Sequence, residues 1–273
     1  TAAAPAAMLT TRLIAAVPQM CASRTFKSPT KYPPSTEKMR PPPAAWQLVA
    51  GLSYPIVVGA TRACAPATPS PLFYRVRYAH NLFMVAASAM FFAYSLQFVT
   101  TGGLAQYVCS DPTLVSPLFD TVQIMWVLSK VWEWIDTCLL VYSRKPVSFL
   151  HCFHHITTVY LFSTTVQYPY LSKIGMLLNG GVHIAMYSHY ASPLPARMVP
   201  FITGAQIVQF VCVFWCLFVA WRDECKPSLF DQGEAHATVV RAGIVATYLV
   251  LFCRYFISRF PLRRRPVGDA KNL

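Results

Sequence analysis

The chain has 273 residues, of which 55% are hydrophobic, 14% aromatic and only 12% charged, where an ordinary soluble domain carries about 25% charged residues. Twenty-three Lys and Arg against ten acids give a formal net charge of +13. These bases lie between long apolar runs rather than on an ordered soluble face, which excludes a nucleic-acid binder. Aromatic content excludes disorder, and size excludes a small disulfide scaffold; an all-α, polytopic membrane protein remains.

In chain order, residues 1–45 come first, rich in Ala, Ser, Thr and Pro. They hold Arg12, Arg24, Lys27, Lys31, Lys38 and Arg40 against Glu37 alone. That pattern fits a mitochondrial presequence or an extension without a targeting role. The first residue is Thr1, and Met8 offers an alternative start. A crossing needs about 20 mostly apolar residues, and the stretch 46–260 supplies about seven: 46–63, 82–103, 119–142, 147–167, 169–190, 198–221 and 237–260. The first is weakest, because Pro55 and Arg62 interrupt it. Lys173 and Arg241 fall near span ends, where they are expected to snorkel to the interface. Residues 261–273 form a basic tail.

Loop charge sets orientation. Arg62, Arg75 and Arg77 follow the first span, Arg144 and Lys145 the third, Arg197 the fifth, and Arg263, Arg264, Arg265 and Lys271 the last. The alternate loops are neutral or acidic, with Asp111, Asp223, Glu224, Asp231 and Glu234. Odd-numbered loops and the C-terminus are therefore expected in the cytosol, although the basic N-terminus then falls in the lumen. Nine cysteines cannot all pair within the chain. Cys109 and Cys225 both fall in loops assigned to the lumen, where disulfides persist, and form a candidate bond.

Ionisable groups inside spans are functional candidates by default. Four clusters occur at helical spacing. Lys130, Glu133, Asp136 and Thr137 share an arc of about 120°, and His151, His154 and His155 share one face. Asn179, His183, Met186, Tyr187 and Tyr190 share another, and Thr203, Gln206 and Gln209 repeat every three residues. Counting about 1.5 Å per residue from the cytosolic ends puts all four clusters roughly 6–18 Å deep. Any one could be structural: an ion pair, a packed histidine, interhelical amide bonds. Convergence on one layer favours a shared internal site. His80 and His236 fall outside it.

These residues resemble the ELO family of very-long-chain fatty-acid elongases. The family's K-x-x-E-x-x-D-T is matched by Lys130, Glu133, Asp136 and Thr137, and its H-x-x-H-H by His151, His154 and His155. Asn179, His183, Met186 and Tyr187 match N-x-x-x-H-x-x-M-Y, and Thr203, Gln206 and Gln209 match T-x-x-Q-x-x-Q. The likeness covers roughly residues 75–260, with softer matches at His80-Asn81 and 248–252. His189 departs from the family, standing where a Tyr is usual; its helical angle puts it off the central face, so a tolerated change is expected. The segment 190–203 is short, and the C-terminus lacks a dilysine retrieval signal.

The resemblance implies a helix bundle in the endoplasmic reticulum, with a mitochondrial membrane as the alternative, enclosing an acyl tunnel. It implies condensation of acyl-CoA with malonyl-CoA, without metal or other cofactor, alongside elongation-cycle reductases and a dehydratase, with a homo-oligomer allowed. Neutral imidazole can attack a thioester, and His154 is the first choice, with His151 and His155 orienting it. His183 is assigned as acid/base or oxyanion partner. Asp136 and Glu133 are assigned to fixing imidazole tautomers, with Lys130 neutralising them. Lys130, Thr137, Asn179, Tyr187, Gln206 and Gln209 are expected to line the substrate site, and Arg144, Lys145, Arg254 and Arg259 to meet CoA phosphates. Cys152 lies about 110° off the histidine face. Two rivals stand: a di-iron desaturase or hydroxylase, which draws ligands from several histidine boxes where this chain has one, and a non-enzymatic seven-helix receptor or transporter.

Overall fold

A computed structural model describes residues 44–109, 118–164, 169–222 and 232–261. All regular structure there is helical: α1 Ala44–Cys64, α2 Pro71–Cys109, α3 Phe119–Trp132, α4 Trp134–Tyr142, α5 Phe149–Thr164, α6 Pro169–Ala191, α7 Val199–Arg222 and α8 Gln232–Arg259. A short 3-10 turn, Ala196–Met198, precedes α7. The N-terminal stretch to residue 43, the bases Arg263 to Arg265 and Cys225, hence the expected Cys109–Cys225 bond, lie outside the described residues.

The chain is a polytopic membrane protein. Among the described residues three helical stretches, Pro71–Thr100, Ala196–Phe218 and Val239–Arg259, are long and apolar enough to cross a bilayer, and only 28, 22 and 17% of their apolar windows are buried within the chain. The outward residues are themselves greasy. Leu72, Phe201, Val239 and Ile257 are 60–70% exposed, which in water would be a liability and against lipid is the expected surface.

The predicted span 119–142 is not one helix. It breaks at Glu133, where the Asp136 N–H bonds the Glu133 carbonyl in an i to i+3 turn. The joint tightens by one residue, and Glu133 is the residue at the break. The first span, by contrast, runs unbroken through Pro55.

Lipid tails solvate apolar side chains as well as another helix does, so helices in a membrane associate through close packing and polar contacts. The extensive α2–α6 seam shows the first. A Cβ on Gly180 would come within 3.2 Å of the Ser88 carbonyl oxygen and 3.3 Å of the Phe92 nitrogen, and one on Gly181 within 3.2 Å of the Phe92 ring. Glycine is what lets the two backbones meet. An aromatic cluster of Phe91, Trp126, Phe162, Phe210, Tyr248 and Phe252, with Met176, ties α2, α3, α5, α6, α7 and α8 together. Polar contacts supply the rest. Lys173 and Arg241 are 1% and 4% exposed, so neither snorkels. The Arg241 guanidinium turns inward because it can donate to the Thr164 hydroxyl at 3.1 Å and the Thr164 carbonyl at 2.8 Å, carbonyls near a helix end being unsatisfied by the helix itself.

Candidate active site

The four polar clusters meet at one cavity of about 560 Å³. Its wall includes Glu133 and Asp136 from the α3–α4 joint, His151, His154 and His155 from α5, Asn179 and His183 from α6, and Thr203, Gln206 and Gln209 from α7. Lys145, Ser148 and Pro193, from the two loops whose charges read as cytosolic, and Val199, at the start of α7, line it as well.

The acids are held by different partners. Lys130, fully buried on α3, donates to Glu133 Oε1 at 2.5 Å and to Asn179 Oδ1 at 2.9 Å. Its ammonium also sits 3.7 Å from the Trp126 ring centroid, a cation–π contact strengthened by the absence of water. Lys130 therefore neutralises one acid and joins α3 to α6, and it lies behind the cavity wall. His183 Nδ1 lies 3.4 Å from the same Glu133 oxygen. Glu133 thus faces one imidazole and one ammonium at a helix break, where its backbone is fixed.

Asp136 makes no hydrogen bond to the α5 histidines, although it shares the cavity wall with them. Its Oδ1 accepts from His80 Nε2 at 2.8 Å, and its Oδ2 accepts from the Tyr187 hydroxyl at 2.5 Å. His80, set apart from the site by the sequence reading, is 7% exposed and belongs to this network. It stands at the start of a long apolar run on α2, more than fifty positions from its partner, where no spacing rule connects them. Its neighbour Asn81 lines the cavity.

Each member of the α5 triad has its own surroundings. His151 Nε2 is 2.8 Å from the Thr137 hydroxyl, and its ring lies 4.2 Å from that of His155. His155 is buried, and its carbonyl accepts from Trp134 Nε1 at 3.0 Å. His154 packs against Tyr248 at 4.9 Å and Phe252 at 6.1 Å between centroids. The Tyr248 hydroxyl does not serve His154; it is 2.6 Å from Thr157, whose own proton goes to the Phe153 carbonyl. The Nδ1 atoms of His154 and His155 and the Gln209 Oε1 are buried with no hydrogen bond inside the chain. Such atoms are costly unless a ligand completes them. Cys152 packs on the far side, against Tyr54, Trp134 and Val159.

A model of the GNS1/SUR4 family (ELO) matches residues 44–267, which takes in every wall of this cavity. The chain belongs to this family. It is 31% identical over 193 residues to human very long chain fatty acid elongase 6, covering 66% of this chain and 69% of that protein. It is 31% identical over 183 residues to the chicken protein of the same name, covering 61% and 64%. A Schizosaccharomyces pombe putative fatty acid elongase 1 is 30% identical over 226 residues, covering 71% and 64%. The chain thus spans 64 to 69% of the length of these relatives.

Three placements differ from those expected of an ELO member. Thr137 contacts His151 and Tyr54 and does not reach the cavity. Among the four bases assigned to CoA, Lys145 alone is in the wall, joined there by Arg77. Arg144 turns back to the carbonyls of Ala65 and Pro66, with a positive φ of 57°, while Arg254 and Arg259 are exposed outside the wall. His189, expected off the central face, lines the cavity, and its Nδ1 accepts from the Leu194 N–H at 2.9 Å. That bond closes the end of α6, where the helix leaves carbonyls and the short following loop leaves an N–H to satisfy.

Proposed function

We propose that this protein is the condensing enzyme of fatty-acid elongation: it joins a long-chain acyl-CoA to malonyl-CoA, releasing carbon dioxide and CoA and forming 3-oxoacyl-CoA. The reading rests on one observation above the others. All four motif clusters of the family line a single cavity, and two of its imidazoles carry buried ring nitrogens without partners.

In this reading a ring nitrogen of His154 attacks the acyl thioester carbon, the carbon–sulfur bond breaks, and the CoA thiolate leaves with the imidazole proton. Malonyl-CoA then loses carbon dioxide. The resulting enolate attacks the acyl carbon, the bond to His154 breaks, and the departing ring takes up one proton from solvent at the cytosolic mouth to restore the neutral imidazole. His183 as an imidazolium, with the Glu133 carboxylate beside its Nδ1–H, donates through Nε2–H to the oxyanion that develops at each step, the kind of fixed donor that lowers such barriers most. Lys130 keeps Glu133 paired in a medium where an isolated charge is expensive. Arg77 and Lys145 meet the CoA phosphates at the cytosolic mouth. With α3 and α4 counted as one crossing the proposed topology has seven, the basic odd-numbered loops and the C-terminus facing the cytosol from an endoplasmic-reticulum membrane, and the acyl tail running among the helices beyond the polar layer.

The desaturase alternative needs histidines converging on metal. Among the described residues no three His, Cys, Asp or Glu side chains form such a group, and one nitrogen each of His151 and His80 is engaged by Thr137 and Asp136. Purified protein given acyl-CoA and labelled malonyl-CoA is expected to release labelled carbon dioxide and form 3-oxoacyl-CoA. A preparation that binds both without condensing them would favour the receptor or transporter instead.

A further inference from the structure

Tyr54 belongs to no motif, and its helix is the candidate span that Pro55 and Arg62 interrupt. It is 2% exposed, with its ring edge-on to Trp134 at 5.3 Å. Its hydroxyl is 3.0 Å from Thr137 Oγ1, which is itself fully buried and 2.8 Å from His151 Nε2. Three helices, α1, α4 and α5, are thereby joined by a chain of two hydroxyls ending on an imidazole that lines the cavity. We infer that Tyr54 is a positioning residue for the condensation, acting through Thr137 to hold His151 with its proton on Nδ1.

The direction follows from counting protons. Thr137 has one hydroxyl proton to give. If His151 Nε2–H donated to Thr137, either Thr137 would donate to Tyr54 and leave the Tyr54 proton the Cys152 sulfur, a weak acceptor, or Thr137 would accept from both and its own proton would have no acceptor. A buried hydroxyl proton without a good acceptor is disfavoured. In the opposite order Tyr54 donates to Thr137, Thr137 donates to His151 Nε2, and both hydroxyl protons have an oxygen or nitrogen acceptor. His151 then has no free ring lone pair. It cannot be the nucleophile, and its Nδ1–H is left to donate to an oxygen of the reacting carbonyl or to orient a neighbouring imidazole. This inference rests on the condensing function proposed above.

The test uses the full chain in nanodiscs with acyl-CoA and labelled malonyl-CoA. Tyr54→Phe keeps the ring and its packing on Trp134 but removes the hydroxyl. It is expected to lower kcat about tenfold with KM for both substrates unchanged, less than the roughly 100-fold loss from removing a direct oxyanion donor. Thr137→Val should lower kcat further, Thr137→Ser should restore it, and Tyr54→Phe with Thr137→Val should be no slower than Thr137→Val alone. Should Thr137→Val fail to fold, Tyr54→Phe placed on Thr137→Ser must still slow the enzyme. Wild-type kcat in Tyr54→Phe, or strictly additive losses in the pair, would overturn the inference. His154→Ala is assayed alongside: its full activity would overturn the condensing mechanism, whereas an inactive His154→Ala with wild-type Tyr54→Phe would overturn only the role of Tyr54.

Discussion

The polar layer and the aromatic cluster beside it solve the same problem by different means. Around the cavity, Lys130, Glu133, Asn179, His80, Asp136 and Tyr187 fix one another by hydrogen bonds between named atoms. In the cluster, Phe91 and Phe162 meet the Trp126 ring edge-on at 5.0 and 5.2 Å between centroids, and any side chains of matching volume would fill that space. The first region depends on residue identity, the second on shape. Lys130 belongs to both, since its ammonium pairs with Glu133 and rests on Trp126.

Substitutions can break or sharpen that contrast. The largest effect is expected at His154→Ala, which should reduce condensation at least about 1,000-fold, the order lost when an activated nucleophile is removed, with the melting temperature in detergent nearly unchanged. Lys130→Met removes the ammonium from a buried Glu133 and leaves it only His183, which should cost about 3–5 kcal/mol, read as a large fall in thermal stability. Phe162→Ala should cost about 3–5 kcal/mol by opening a cavity, yet Phe162→Leu should recover most of that stability and keep kcat per folded molecule. A Glu133→Gln variant, nearly isosteric, should fold but lose activity; if it turned over normally while Phe162→Leu did not, the division between the two regions would be wrong. His189→Tyr should have the smallest effect, a change of about threefold or less in KM with kcat intact, because His189 lies in the wall at the end of α6 with its Nδ1 engaged by the Leu194 N–H and makes no hydrogen bond to either acid.

The same contrast explains what could be read without coordinates. Fixed intervals on one helix reveal shared faces, so the Lys130–Thr137, His151–His155 and Asn179–Tyr187 groups were legible, and depth along alternating spans brought them to one layer. Partners on distant segments left no interval. His80 reaches Asp136 from α2, and Tyr54 reaches Thr137 from a helix that Pro55 makes look weak. The break at Glu133 was hidden because apolar residues continue on both sides of it. Lys173 and Arg241 were expected at the lipid interface because position near a span end says nothing about which way a side chain turns.

The central claim is that the acyl group rides on His154. It is tested most directly by mixing the protein with acyl-CoA alone, quenching, and mapping the mass increment by peptide mass spectrometry. A stoichiometric acyl adduct on His154, with one equivalent of CoA released before malonyl-CoA is added, is the predicted result. An adduct on Cys152 or His183, or full turnover with no CoA released until malonyl-CoA arrives, would contradict it.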